Sequence, residues 1–153
     1  MDNLHIMEKI NKCAKQTATE LQSQFDFSET QFETVLYHYI QKQIPSALVS
    51  RQVNITYETS CGFPFGFGRL DILVETDTDY IILELKQSRY IGKIINSATV
   101  QLKKYLYFAK KPNKTVRGML VIFGPQTPYI LYAKLTRDAD AQKVILCGKK
   151  PFI

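Results

Sequence analysis

Three residues invite a chemical reading before any element is drawn: Asp71, Glu84 and Lys86. Asp71 stands in Gly68-Arg69-Leu70-Asp71-Ile72-Leu73-Val74, an otherwise apolar run in which an unpaired carboxylate is costly to desolvate. Glu84 and Lys86 close the run Ile81-Ile82-Leu83-Glu84-Leu85-Lys86, and strand alternation sends both from the face that carries Ile82. A short hairpin between the two runs sets Asp71 across from the end of the second, so two carboxylates and an ammonium meet in one cluster. Adjacent carboxylates repel unless a cation lies between them. A hard oxygen site with few protein ligands and open water positions suits Mg²⁺ or Mn²⁺. The competing reading is a cross-strand ion pair on a solvated sheet face. The apolar flanks weigh against it.

The elements that must carry these residues follow from periodicity. Leu4, Met7, Ile10, Ala14, Ala18, Leu21 and Phe25 form the stripe of an amphipathic helix over about 4–25. Ser28 as N-cap, Gln31 as its capping-box partner and the Phe27/Phe32 staple start a second helix, with Phe32, Val35, Leu36, Tyr39 and Ile40 buried and Pro45 at its end. From Gln52 the period shortens: Val53, Ile55 and Tyr57 alternate as in a half-buried strand. Cys61 to Gly68 holds three glycines and a proline and is expected to connect two antiparallel strands rather than continue either. The second strand is expected at 69–75 and the third at 80–86, joined by Thr76-Asp77-Thr78-Asp79. A helix over 94–110 buries Ala98, Leu102, Tyr105, Leu106 and Ala109, closed by Pro112 and Asn113. Runs at 119–123 and 129–133 read as strands, with a short edge strand at 143–147. The fold class is therefore α/β, a single mixed sheet flanked by helices.

At 153 residues the chain suits one domain, with an N-terminal helical pair over 4–44 and a sheet and helix over 51–135. No apolar run reaches the about 18 residues of a membrane span, and the first residues lack the pattern of a signal peptide, so a soluble, cytoplasmic protein is expected. Cys13, Cys61 and Cys147 are widely spaced and read as reduced thiols. Lys and Arg exceed Asp and Glu by 20 to 14, a formal charge of +6 that favours anionic partners such as nucleic acid. His5 and His38 lack Cys or His neighbours, and no zinc site is expected.

Asp71, a gap of twelve residues and then Glu84-Leu85-Lys86 resemble the signature of the PD-(D/E)XK nuclease superfamily, an Asp, a variable hairpin and Glu-x-Lys. Gln101-Leu102-Lys103-Lys104-Tyr105 in the following helix is similar to the QxxxY element of the branch containing the RecB nuclease domain. The order of elements over 28–135 is similar to the family core, and also to that of the GxxExxY branch. Leu70 stands where the family often has Pro. Glu33 is the match for an acidic ligand from the preceding helix.

The resemblance implies a restriction-endonuclease-like core and a Mg²⁺-dependent endo- or exonuclease acting on DNA, with RNA also admissible. It assigns Asp71, Glu84, the carbonyl of Leu85 and Glu33 as metal ligands, and Lys86 as the group that orients or deprotonates the attacking water. Gln101 is placed to hold that water or the scissile phosphate, with Lys103, Lys104 and Tyr105 meeting neighbouring phosphates. Lys110, Lys111, Lys114 and Arg117 extend the basic run, for which a solvated helix face is an equal reading. Phe63, Phe65 and Phe67 stack on bases, wedge into a duplex or pack on a second subunit; the sequence leaves these open. A non-catalytic nucleic-acid-binding module on the same fold is the rival function, and a homodimer is plausible for cutting two strands.

Overall fold

The computed structural model describes residues 3–21, 26–111, 113–125, 127–137 and 141–149. The elements are α1 (Asn3–Glu20), α2 (Glu29–Gln43), β1 (Leu48–Glu58), β2 (Pro64–Glu75), β3 (Asp79–Gln87), α3 (Ile91–Phe108), β4 (Thr115–Phe123), β5 (Tyr129–Arg137) and β6 (Gln142–Gly148). The expected places of Phe25 and Pro112, and of the Leu4 side chain, lie outside the described residues. No helix among the described residues is long and apolar enough to cross a membrane.

The six strands form one mixed sheet in the order β1-β2-β3-β4-β5-β6. Every neighbouring pair is antiparallel except β3 and β4, which run parallel because α3 carries the chain back across the sheet between them. Helices α1 and α2 cover one face: Ile6, Met7, Ile10, Phe32, Leu36 and Ile40 pack with Ile72, Val74, Ile81, Leu83, Leu85, Met119 and Val121. The α3 layer covers the other, with Ala98, Leu102, Tyr105, Leu106 and Ala109 set against Leu73, Ile82, Leu120, Ile122 and Ala133. Strand β4 is buried on both sides, as its uninterrupted apolar run requires. The architecture is the α/β class expected, a mixed sheet between helical layers, consistent with a restriction-endonuclease-like core.

Helix α2 starts where its capping box demands. Ser28 Oγ accepts from the Gln31 N–H at 3.2 Å and Gln31 Oε1 accepts from the Ser28 N–H at 2.8 Å, a reciprocal pair of the kind that stabilises a helix by about 1 kcal/mol. Its buried face comprises Phe32, Glu33, Leu36 and Ile40, with Val35 and Tyr39 only half-buried. The stripe is thus rotated toward Glu33, which gains a partner on β1.

Strand β2 corrects the expectation that Cys61–Gly68 is all connection: the turn is confined to 59–63 and the strand begins at Pro64. The reason is its position. The β2–β3 ladder covers only Ile72↔Leu83 to Glu75↔Tyr80, so residues 64–70 pair with β1 alone and one edge is free to hold Pro and Gly. Beyond Asp71 the two strands continue as a two-stranded arm.

The arm also changes face. In the body of the sheet Val49, Ile72 and Val74 point into the α1/α2 layer, whereas Ile55 and Leu70, of the same parity as Val49 and Ile72, point into the α3 layer. The exchange falls at Gln52 and Asp71, the opposed pair missing from the ladder between Arg51↔Ile72 and Val53↔Leu70. Gln52 has φ +53°, in the left-handed region that costs a non-glycine residue about 1 kcal/mol. Its amide donates to Glu33 Oε1 at 2.6 Å, which offsets that cost.

Candidate active site

Asp71 sits at this exchange of faces, one step beyond the last β2–β3 pair, and the register Ile72↔Leu83 sets it opposite Glu84. Its Oδ2 accepts the Leu85 N–H at 2.7 Å, tying the carboxylate to the end of β3. Glu84 is 3% exposed. Burial first, then a hydrogen bond with Asp71 and the charge of Asp71, push the Glu84 carboxyl up to about 9, with Lys86 opposing and Glu29 adding to the rise. A carboxyl so raised keeps its proton at neutral pH and shares it with the neighbouring Asp71, as two carboxylates brought together out of water do. Lys86 is half-buried two residues on, on the same face as Glu84.

The donors of this pair are hard oxygens, which fit a divalent ion of the Mg²⁺ type. Among the described residues no three acidic, His or Cys side chains converge on one point. Two carboxylates leave most of an octahedral ion's positions to water and substrate, the usual condition of Mg²⁺.

Helix α3 supplies the wall on one side. The Gln101 amide lies near the hydroxyls of both Tyr57 and Tyr105 and lowers their pKa values against a larger opposing effect of burial. Tyr105 is carried up to about 12 by burial and then by the charge of Glu84, and Tyr57 is raised by burial with Glu84 again contributing. The Tyr105 hydroxyl donates to the Arg69 carbonyl at 2.9 Å, so the base of the arm is fastened to α3. Gly68 permits this approach. A Cβ there would lie 2.4 Å from Tyr57 Oη and 2.5 Å from Tyr105 Cε1. Tyr57 was visible in the sequence only as the last member of the Val53, Ile55, Tyr57 alternation, and nothing there tied it to the carboxylates.

Helix α2 forms the other side, through a residue other than the expected one. The carboxylate of Glu33 is turned to β1, where Arg51 meets Oε2 at 2.8 Å and Gln52 meets Oε1 at 2.6 Å. Both oxygens are thereby engaged in fastening α2 to the kinked strand. Glu29, one turn earlier, stands nearer the end of β3: its carboxyl is raised mainly by burial, lowered by Lys86 and by a hydrogen bond from the Gln87 N–H, and raised by Asp71. The sequence reading did not single it out, and its place in the first turn of a well-capped helix suits an acid that complements the helix dipole. The signal that sets it apart is its spacing of four from Glu33.

The lysines do not gather as the sequence allowed. Lys103 and Lys104 are exposed and line a groove between α3 and β6 with Val100, Tyr107, Gln142 and Lys143. Lys110 pairs with Glu58, and Lys114 and Lys111 lie 2.7 Å and 3.9 Å from Glu75. Part of the basic run is thus neutralised locally. His5 and His38 are both exposed, as expected.

No curated protein matches the sequence. A solved structure titled "Crystal structure of SSO0001" is similar at 16% identity and a TM-score of 0.44, the match covering 94% of this chain and 67% of that one. The profile of the PD-(D/E)XK nuclease superfamily matches residues 5–130, a span that contains Asp71, Glu84, Lys86, Gln101 and both helical walls, and the chain belongs to that superfamily.

Proposed function

We propose that the protein hydrolyses phosphodiester bonds of DNA, or of RNA, with Mg²⁺ or Mn²⁺ as cofactor. The observation that carries this reading is geometric: Asp71, tied to the end of β3 through the Leu85 N–H, meets the buried carboxyl of Glu84 beside Lys86 at the point where β2 leaves β3. Asp71, Glu84 and the Leu85 carbonyl would hold the ion. When bound, it neutralises the pair and stabilises the charge that accumulates at phosphorus. Lys86 orients the attacking water as an ammonium, or takes up its proton as the neutral amine. Glu29, from the α2 side, balances Lys86 and keeps it directed at the pair. Gln101, itself positioned by Tyr57 and Tyr105, offers an amide to the water or to a phosphate oxygen. One such site per chain cuts one strand, so cleavage of both strands of a duplex calls for a second copy.

Cleavage of labelled single-stranded, duplex and four-way-junction DNA in Mg²⁺, Mn²⁺ or EDTA tests the proposal, with Asp71→Ala and Lys86→Ala as controls. Metal-dependent cleavage lost in both variants supports it. Binding without cleavage in any metal would replace it with a non-catalytic binding module on the same fold.

A further inference from the structure

The arm formed by 53–58 and 64–70, with the turn that joins them, carries three phenylalanines, Phe63, Phe65 and Phe67, of which Phe65 packs against the fold. The β1–β2 register shifts between Tyr57 and Glu58, which leaves Phe65 as the extra residue of a bulge, and its ring packs on Tyr57 at 6.2 Å and on Phe108 at 5.7 Å. Phe63 and Phe67 stay 65% and 73% exposed. The tip that presents them is closed by Thr59: its N–H donates to the Phe63 carbonyl at 2.9 Å and its hydroxyl accepts the Phe63 N–H at 3.1 Å. Gly62 at φ +86° makes the turn possible. The rings are held out in water on a braced hairpin, so little ordering is needed when they engage a partner.

The surroundings of Phe67 identify that partner. On the outer face of the arm Phe67 is paired across the strands with Thr56, and Arg69 with Asn54, all exposed. An aromatic ring flanked by a guanidinium, an amide and a hydroxyl suits stacked bases and phosphates, and the formal charge of +6 favours an anionic partner. Phe67 is also four residues from Asp71 on one strand, about 13 Å, which corresponds to about four stacked nucleotide steps. We infer that the arm is a stacking platform for unpaired bases of the nucleic acid whose scissile phosphate lies at Asp71 and Glu84, with Phe67 receiving a base about three or four nucleotides away and Phe63 one further out. The inference rests on the nucleic-acid reading of the site, and it directs the protein toward single-stranded or frayed substrates.

The test is binding in EDTA, where cleavage plays no part. The chain contains no Trp, so Phe67→Trp introduces a single reporter. Its fluorescence is expected to be quenched on titration with a single-stranded oligonucleotide and little changed by blunt duplex of the same length. Phe67→Ala is expected to lose about 5- to 150-fold in single-strand affinity, the range one base–aromatic stack supplies, with its melting temperature unchanged because the ring is 73% exposed. Unaltered affinity in Phe67→Ala, or equal quenching by duplex, overturns the inference while leaving metal-dependent cleavage to be judged separately. A shift of oligomeric state in Phe67→Ala by sedimentation velocity overturns it in favour of a second copy on the arm.

Discussion

The pair Asp71–Glu84 makes a quantitative prediction that needs no substrate. The Glu84 carboxyl is raised from 4.5 to about 9, chiefly by burial, so between those values the folded protein holds a proton that the unfolded chain has released. The sign follows from linkage: where the folded state binds more protons, stability falls as pH rises. The contribution is intact below pH 4.5 and is lost progressively toward pH 9, at up to about 1.4 kcal/mol per unit. Glu84→Gln keeps the shape and a donor toward Asp71 but has no proton to release. At pH 8 in EDTA the variant should therefore melt about 5–10 °C above the unmodified protein, taking a few kcal/mol of relief and about 2–4 °C per kcal/mol for a chain of this size. Near pH 5 the difference should almost vanish. Thermal melts across pH 5–8.5 in EDTA read this directly, and parallel curves for the two proteins would refute the shared-proton account. Adding Mg²⁺ at pH 8 should reverse the ranking, because the ion replaces the proton in the unmodified protein and finds a weaker site in the variant.

Two further outcomes follow from the walls of the site. Gly68→Ala forces Tyr57 and Tyr105 back by about 1 Å, a displacement of the size that costs about 100-fold in rate when it reaches a positioning group; single-turnover cleavage should show that loss with Mg²⁺ affinity preserved, and full activity would remove the tyrosine–Gln101 network from the mechanism. Arg51→Ala leaves Glu33 buried with one oxygen unpaired and should destabilise by about 2–3 kcal/mol, less than a fully enclosed pair because Arg51 is partly exposed; urea denaturation with an unchanged midpoint would refute the role of this pair in fixing α2.

What the sequence disclosed and what it concealed divide along physical lines. The opposition of Asp71 and Glu84 was legible because a short polar turn and strict alternation leave one register that buries the apolar side chains on both strands. The faces of α3 were legible for the same reason: Ala98, Leu102, Tyr105, Leu106 and Ala109 are all buried as their spacing required. The arm was hidden because Pro64, Gly66 and Gly68 are strand breakers in a central strand yet harmless where one edge is unpaired. The assignment of Glu33 as a metal ligand came from the family resemblance, which matches it to an acidic residue of the preceding helix. That match could not see Arg51 and Gln52, whose approach depends on a left-handed residue in the middle of β1. Glu29 was missed because the same first-turn position serves capping, and only the docking of α2 against the end of β3 distinguishes the two roles.

The turn between β2 and β3 lies at the opposite end of its ladder from the carboxylates, four residue pairs away. Asp79 closes it: its carbonyl accepts the Thr76 N–H at 3.0 Å, and its Oδ2 accepts the Thr76 and Thr78 hydroxyls at 3.2 Å and 2.8 Å. Because side chains alternate, a slip of one residue at this turn would carry Glu84 to the other side of the sheet and leave Asp71 facing a leucine. Length changes among relatives should accordingly be tolerated here only when they preserve the ladder, as whole added pairs or as excursions outside it. The hairpin is thus a ruler, its graduations set at one end and read in chemistry at the other.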